Sequence, residues 1–296
     1  MKKYKTILVG LEGKNRDNII LGHISNIKDA LGAQKIYFVH ISRDMKVIDN
    51  FYAKRVVINC ENKRKQMIRE MEQSLLKLGD LDYEIMVKDG NPEIEIPRIV
   101  SEKGIDLLVL GRRPRPGMTH LLRQLTDAAK CSVLIVPKIL GMKSYNLAPV
   151  DFSCSSKQAI NMAYYFNRLG IKKKSLYSYS TRLSFHSRSN RSVEGHSEVK
   201  GQNITDYSKK IVPEDLIANC AIILEKRENL ARKIINYSLS KGANIIMIGC
   251  KGTNQLASFL FGSIAIKLAE ISYRLPVLID KKRRVSTDTL EAFISL

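Results

Sequence analysis

Short apolar runs, each bounded by glycine or polar residues, alternate along this chain with longer stretches whose apolar positions recur at helical spacing. Runs of this length, rich in Val and Ile, predict buried parallel strands, and the stretches between them predict helices. In the first half the pattern predicts strand 5–11, helix 17–31 and strand 35–41. After a connecting stretch come a charged helix over 61–78, strand 83–88, helix 92–103, strand 106–111, helix 119–130 and strand 132–137. The second half predicts strand 145–151, helix 155–169, strand 174–180, strand 220–225, helix 228–241, strand 244–249, helix 262–272 and strand 275–280. Strands that alternate with helices call for a parallel, doubly wound α/β sheet.

The second series repeats the first. Ser101-Glu-Lys-Gly-Ile-Asp-Leu-Leu-Val-Leu-Gly111 matches Leu239-Ser-Lys-Gly-Ala-Asn-Ile-Ile-Met-Ile-Gly249 at a constant offset of 138. Thr6–Gly13 answers Asn146–Ser153, and Ser132–Pro137 answers Pro276–Asp280. A period near 140 is a domain duplication, not a solenoid. The expected division is residues 1–140, residues 141–282, and a basic tail over 283–296.

One candidate site stands out. Gly249, Gly252 and Gly262-Ser263 form G-x2-G-x9-G-S, beginning where the run Asn244–Gly249 ends. A strand, a glycine-punctuated loop and a helix N-terminus together make an anion site, because backbone N–H groups and the helix dipole attract phosphate while missing Cβ atoms let it approach. The alternative is that the glycines only shape a βα loop. Asp151 and Gly249 both close predicted strands, so both can face the crevice beyond the strand carboxyl ends, where doubly wound sheets bind ligands. Asp151 can also be read as a turn or cap residue before Ser155.

Composition narrows the partners without choosing one. The chain has 296 residues, 49 Lys+Arg against 29 Asp+Glu and a formal charge of +20, which favours anionic partners in general. The basic residues are spread over both halves, so nucleic acid is the weaker reading and a solvated basic surface the plainer one. Five cysteines lack C-x-x-C spacing and five histidines lack an H-x-x-x-H pair, so neither a disulfide framework nor a zinc site is indicated. The first apolar run is too short for a signal-peptide core and no window spans a membrane, which predicts a cytosolic, reduced protein with no membrane partner. The polar stretch 182–204 predicts a mobile surface loop, and Leu290, Phe293 and Leu296 predict a short docking helix.

On these residues the chain resembles the universal stress protein family in its tandem form: Pro149-Val-Asp151-Phe-Ser153 follows the first strand, and Gly249-Cys-Lys-Gly252-Thr-Asn precedes Gly262-Ser263-Ile-Ala. The resemblance implies two Rossmann-like domains, each with a five-stranded parallel sheet, packed as a pseudo-dimer, with ATP between the first strand and the glycine loop. It implies that Asp151 meets the ribose hydroxyls, and that Gly249, Gly252, Gly262 and Ser263 meet the phosphates with Lys251 adding charge. It further implies contacts from Pro149, Tyr179, Ile248, Thr253 and Ile264 to the same nucleotide. Tyr179 reads equally as an ordinary strand-end residue, and Ala265 lacks the hydroxyl that family members often carry there. No residue is assigned to a metal, although Mg2+ could accompany ATP, and AMP or a cyclic nucleotide stays open.

The first half departs from this pattern. Its loop is Gly111-Arg-Arg-Pro-Arg-Pro-Gly117, with Pro114 in place of the second glycine, and it is six residues shorter. Glu12 stands in place of Asp151, and the Gly-Ser before the helix is absent. The expectation is a non-binding first domain supporting an ATP-binding second domain. No Ser/His/Asp arrangement and no G-x4-G-K-[ST] is present, so no catalytic residue is named. The leading expectation is a stress-response or signalling protein that acts through conformational or oligomeric change. The alternatives are an interaction module with a vestigial pocket, or a slow ATPase. An enzyme of nucleotidyl-transfer type would need an H-x-G-H-like or S-G-G-x-D-like loop, and neither is present. A homodimer and an unidentified protein partner remain open.

Overall fold

The computed structural model describes residues 4–12, 17–42, 53–76, 82–112, 118–137, 145–150, 158–163, 166, 174–181, 220–224, 230–249 and 263–281. The first half runs β1 (Thr6–Gly10), α1 (Asn18–Leu31), β2 (Lys35–Ser42), α2 (Ala53–Leu75), β3 (Tyr83–Asp89), α3 (Pro92–Glu102), β4 (Leu107–Gly111), α4 (Met118–Ala128) and β5 (Ser132–Val136). The second runs β6 (Tyr145–Val150), β7 (Lys174–Thr181), β8 (Cys220–Leu224), α5 (Leu230–Ser240), β9 (Ala243–Gly249), α6 (Ser263–Ile271) and β10 (Val277–Asp280), with residues 158–163 also helical. The doubly wound α/β architecture is therefore as expected. One boundary is not: α2 starts at Ala53, eight residues ahead of the expected 61, because Val56, Val57 and Ile58 are β-branched and read poorly as helix.

The ten described strands join one sheet in the order β3-β2-β1-β4-β5-β10-β9-β6-β7-β8. Within each half the pairings are parallel, and the halves meet through antiparallel β5 and β10, with Leu278 opposite Leu134. The two halves are thus continuous through backbone hydrogen bonds, a closer union than packed domains require. Each face of the sheet carries one apolar core drawn from both halves. One core holds Tyr4, Phe38 and Ile24 together with Phe166 and Met247; the other holds Leu108 and Leu122 together with Ile234 and Leu268. The central strands β1, β4, β5 and β10 are buried on both faces, which is why their sequences are continuous apolar runs and not alternating ones, whereas the edge strand β3 is only half-buried.

Strand register fixes how the halves correspond. Ile7 lies opposite Leu107 on β4, and Asn146 lies opposite Ile245 on β9. Leu107 and Ile245 are related by the repeat offset of 138, so Ile7 corresponds to Asn146. This moves the expected match of Thr6 with Asn146 by one residue, and it sets Glu12 at the position of Asp151. The buried positions Ile20, Leu21, His23, Ile24 and Ile27 recur at the same offset of 139 as Ala159, Ile160, Met162, Ala163 and Phe166.

Candidate functional site

The chain leaves β1 for β2 on one side and returns to β4 on the other; β6 stands likewise between β7 and β9. Each half therefore has one switch point, between β1 and β4 or between β6 and β9, where adjacent connections part and leave a crevice. The two crevices differ in what occupies them.

In the first half the backbone donors at the strand ends are committed. The Leu11 N–H donates to Val39 O at 2.8 Å, and Arg112 N–H donates to Val136 O at 2.7 Å. The Glu12 N–H donates to the Asp17 carboxylate, 3.0 Å from Oδ2 and 3.2 Å from Oδ1. His40 Nδ1–H donates to Leu11 O at 3.1 Å. Asp17 is buried at the start of α1, so a carboxylate stands where a phosphate would need positive potential. Ile20, one turn into α1, closes over the end of β4: a Cβ added to Gly111 would lie 2.6 Å from Ile20 Cδ1.

Of the three loop arginines, Arg112 is the one within the described residues, and it too is committed. Arg112 is buried, and its guanidinium donates to the carbonyls of Ala269 and Glu270, at the carboxyl end of α6 in the other half. Its Cζ sits 4.2 Å from the centroid of the Tyr273 ring. Burial lowers its pKa from the usual value, opposed by Tyr273 and then Glu270. Arginine remains a cation even so.

In the second half, Pro149 is buried on β6 one residue before that strand ends, and Gly249 is the last residue of β9. Tyr179 lies on β7 opposite Val150, so it too is near a strand carboxyl end. Ile248 is half-buried on β9, Ser263 is the first residue of α6, and Ile264 is half-buried on the same first turn. The sheet thereby brings Pro149, Tyr179, Ile248 and Gly249 to one edge. Asp151, Lys251, Gly252, Thr253 and Gly262 lie outside the described residues, as do the 182–204 stretch and the tail. Where the first half has Ile20, this half has Ala159, which carries three fewer side-chain carbons toward the switch point.

Sequence reasoning missed the roles of Asp17, Ile20 and Arg112. Asp17 resembles an ordinary helix cap, yet its side chain caps nothing in α1 and closes the β1–α1 loop instead. The signal for Ile20 was available: an isoleucine beside the glycine that ends β4, against alanine in the repeat.

Among the described residues no group of three His, Cys, Asp or Glu could hold a metal ion, and no helix is long and apolar enough to cross a membrane. Residues 3–137 match the model of the universal stress protein family. That is the half whose glycine loop departs most from the pattern, so the match runs through β1 to β5 rather than through a phosphate loop. A universal stress protein from Archaeoglobus fulgidus DSM 4304 superimposes with a TM-score of 0.65 at 14% identity, covering 94% of this chain and 96% of its own. A functionally unknown protein from Pseudomonas aeruginosa PAO1 gives 0.65 at 15% identity, covering 100% and 99%. An Arabidopsis thaliana protein of the universal stress protein family with AMP bound covers 46% of this chain and 90% of its own, at 15% identity and a TM-score of 0.34. No curated protein matches the chain in sequence.

Proposed function

We propose that this chain, whose residues 3–137 match the universal stress protein family, binds one adenine nucleotide, ATP, at the switch point between β6 and β9. Its role is that of a stress-response or signalling protein whose output is a change of conformation or assembly. The observation that carries the reading is the contrast between the halves. The glycine series of the second half starts at the end of β9 beside β6, while in the matching crevice of the first half Ile20 and Asp17 stand at the strand ends and the described backbone donors there, those of Leu11, Glu12 and Arg112, are committed. The first half then serves as a non-binding partner.

In this reading Gly249, Gly252 and Gly262 let the phosphates approach the backbone, and Ser263 offers a hydroxyl and a helix N-terminal N–H. Lys251 supplies charge. Thr253 and Ile264 flank the phosphates, while Pro149, Ile248 and Tyr179 form the apolar wall for the base. Magnesium, if it accompanies ATP, is held by the phosphates and water, since no carboxylate pair is assigned to it.

Asp151 tests the reading, because a carboxylate repels phosphate and helps only by accepting from nucleoside hydroxyls. A hydrogen bond to a charged acceptor contributes about 1.5–3 kcal/mol, or roughly one to two decades in affinity. Asp151→Ala should weaken ATP by that factor and leave inorganic triphosphate unchanged or tighter. Equal losses for the two ligands, or no loss for ATP, would remove Asp151 from the site.

A further inference from the structure

We infer that Arg112 is a positioning residue for the second-half nucleotide site, acting on it from the first half through α6. This rests on the ATP reading, since α6 is the helix whose first turn would face the phosphates.

The geometry is a cation set on the wrong end of a helix for ligand binding and the right end for helix electrostatics. The last carbonyls of any helix have no partner within it and carry partial negative charge. In α6 the carbonyls of Ala269 and Glu270 accept from the two terminal nitrogens of one buried guanidinium, Nη1 and Nη2. That fork holds the helix end in two places, which an ammonium group would not do. The exposed ring of Tyr273 covers the guanidinium face, and Ser272 ties the end of the helix to Leu275 O through its hydroxyl at 2.6 Å.

Two consequences reach the other end of α6. With nine residues, α6 is roughly 13 Å long. The negative partial charge at its carboxyl end opposes an anion at its first turn, and a buried, weakly screened guanidinium cancels that opposition. The fork also fixes the helix axis against β4 and β5, so the first turn presents its N–H groups in one orientation. A matching contact runs the other way: Lys281, just after β10, donates through Nζ to Thr126 O at 3.3 Å and to Ala129 O, at the carboxyl end of α4. Each half thus holds the helix that follows the other half's β4-type strand. They use residues that do not correspond in the repeat, since Cys250 stands where Arg112 would recur.

The test uses the full chain, with ATP and adenosine titrated into wild type and Arg112→Gln. Because the effect acts on phosphate, Arg112→Gln should weaken ATP about three- to tenfold while adenosine affinity stays unchanged. A purely structural loosening would weaken both alike, and that result, or unchanged ATP affinity in folded Arg112→Gln, overturns the inference while leaving the ATP site standing. Wild type that binds no ATP overturns both. Should Arg112→Gln not fold, hydrogen exchange on wild type decides. Linkage requires ATP to tighten what Arg112 holds, so the amides of residues 270–272 should exchange more slowly with ATP and not with adenosine. Equal exchange in the two ligands contradicts it.

Discussion

The Tyr4 hydroxyl donates to Asp280 Oδ1 at 3.1 Å, joining the start of the first strand to the end of the last across 276 positions of chain. The same carboxylate oxygen accepts from Ser132 Oγ at 2.9 Å, and Ser132 Oγ in turn accepts from Lys281 N–H at 3.0 Å. Tyr4, Ser132, Asp280 and Lys281 are all buried. Burial first, then the nearby Asp280 carboxylate, holds the Tyr4 phenol well above its usual 10.0, so it stays protonated and remains the donor. The polar seam lies where β5 meets β10, and it gives the apolar junction of the two halves a single register.

Tyr4→Phe keeps the ring and removes that donor. A lost hydrogen bond to a buried charged acceptor costs about 1.5–3 kcal/mol. Denaturant unfolding should show this loss with the transition still cooperative across both halves. A loss below about 0.5 kcal/mol would mean that Asp280 is satisfied without the Tyr4 hydroxyl.

Gly111 and Ile20 form a pair that only a small residue at 111 permits. Gly111→Ala places a methyl group 2.6 Å from Ile20 Cδ1 in the described geometry, and overpacking of this kind costs about 1–3 kcal/mol. Ile20→Val removes that same Cδ1 and alone costs about 0.5–1.5 kcal/mol. The double variant should be more stable than Gly111→Ala. Simple additivity in a double-mutant cycle would show that the two residues do not touch.

His23 sits on α1 where the repeat has Met162, and its Nε2 has no hydrogen-bond partner. Burial pulls its pKa from 6.5 down to about 4. The folded state therefore resists protonation that the unfolded state accepts, so the stability is present above pH 6.5 and is lost as pH falls toward 4. At about 1.4 kcal/mol per pKa unit, the loss reaches roughly 2 kcal/mol by pH 5. His23→Met should remove this part of the acid sensitivity. Unfolding at pH 7.5 and pH 5 compares the two proteins; an identical pH dependence would show that His23 is not held neutral.

The inner strands and the duplication were legible because those strands are buried on both faces and so are written as unbroken apolar runs, as in Leu107–Gly111 and Ala243–Gly249. The start of α2 was not, since β-branched Val56, Val57 and Ile58 carry a strand's propensity inside a helix. The glycine spacing marked the strand end at Gly249, but spacing carries no account of what fills the other crevice. That depends on Ile20 of α1 against β4, which only its exchange for Ala159 in the repeat marks, and on Arg112 reaching across the junction, a tertiary fact with no local signature. The one-residue shift between Thr6–Gly13 and Asn146–Ser153 came from the same source: apolar runs tolerate a slip that the hydrogen-bonded register of β1 on β4 and β6 on β9 does not.

The account turns on asymmetry between two halves built alike. Titration of ATP into the full chain by calorimetry measures it directly. One nucleotide per chain is predicted for wild type, with binding abolished or strongly weakened by Gly262→Val and unchanged by Arg113→Gln in the first-half loop. Two nucleotides per chain, or none, would contradict the account.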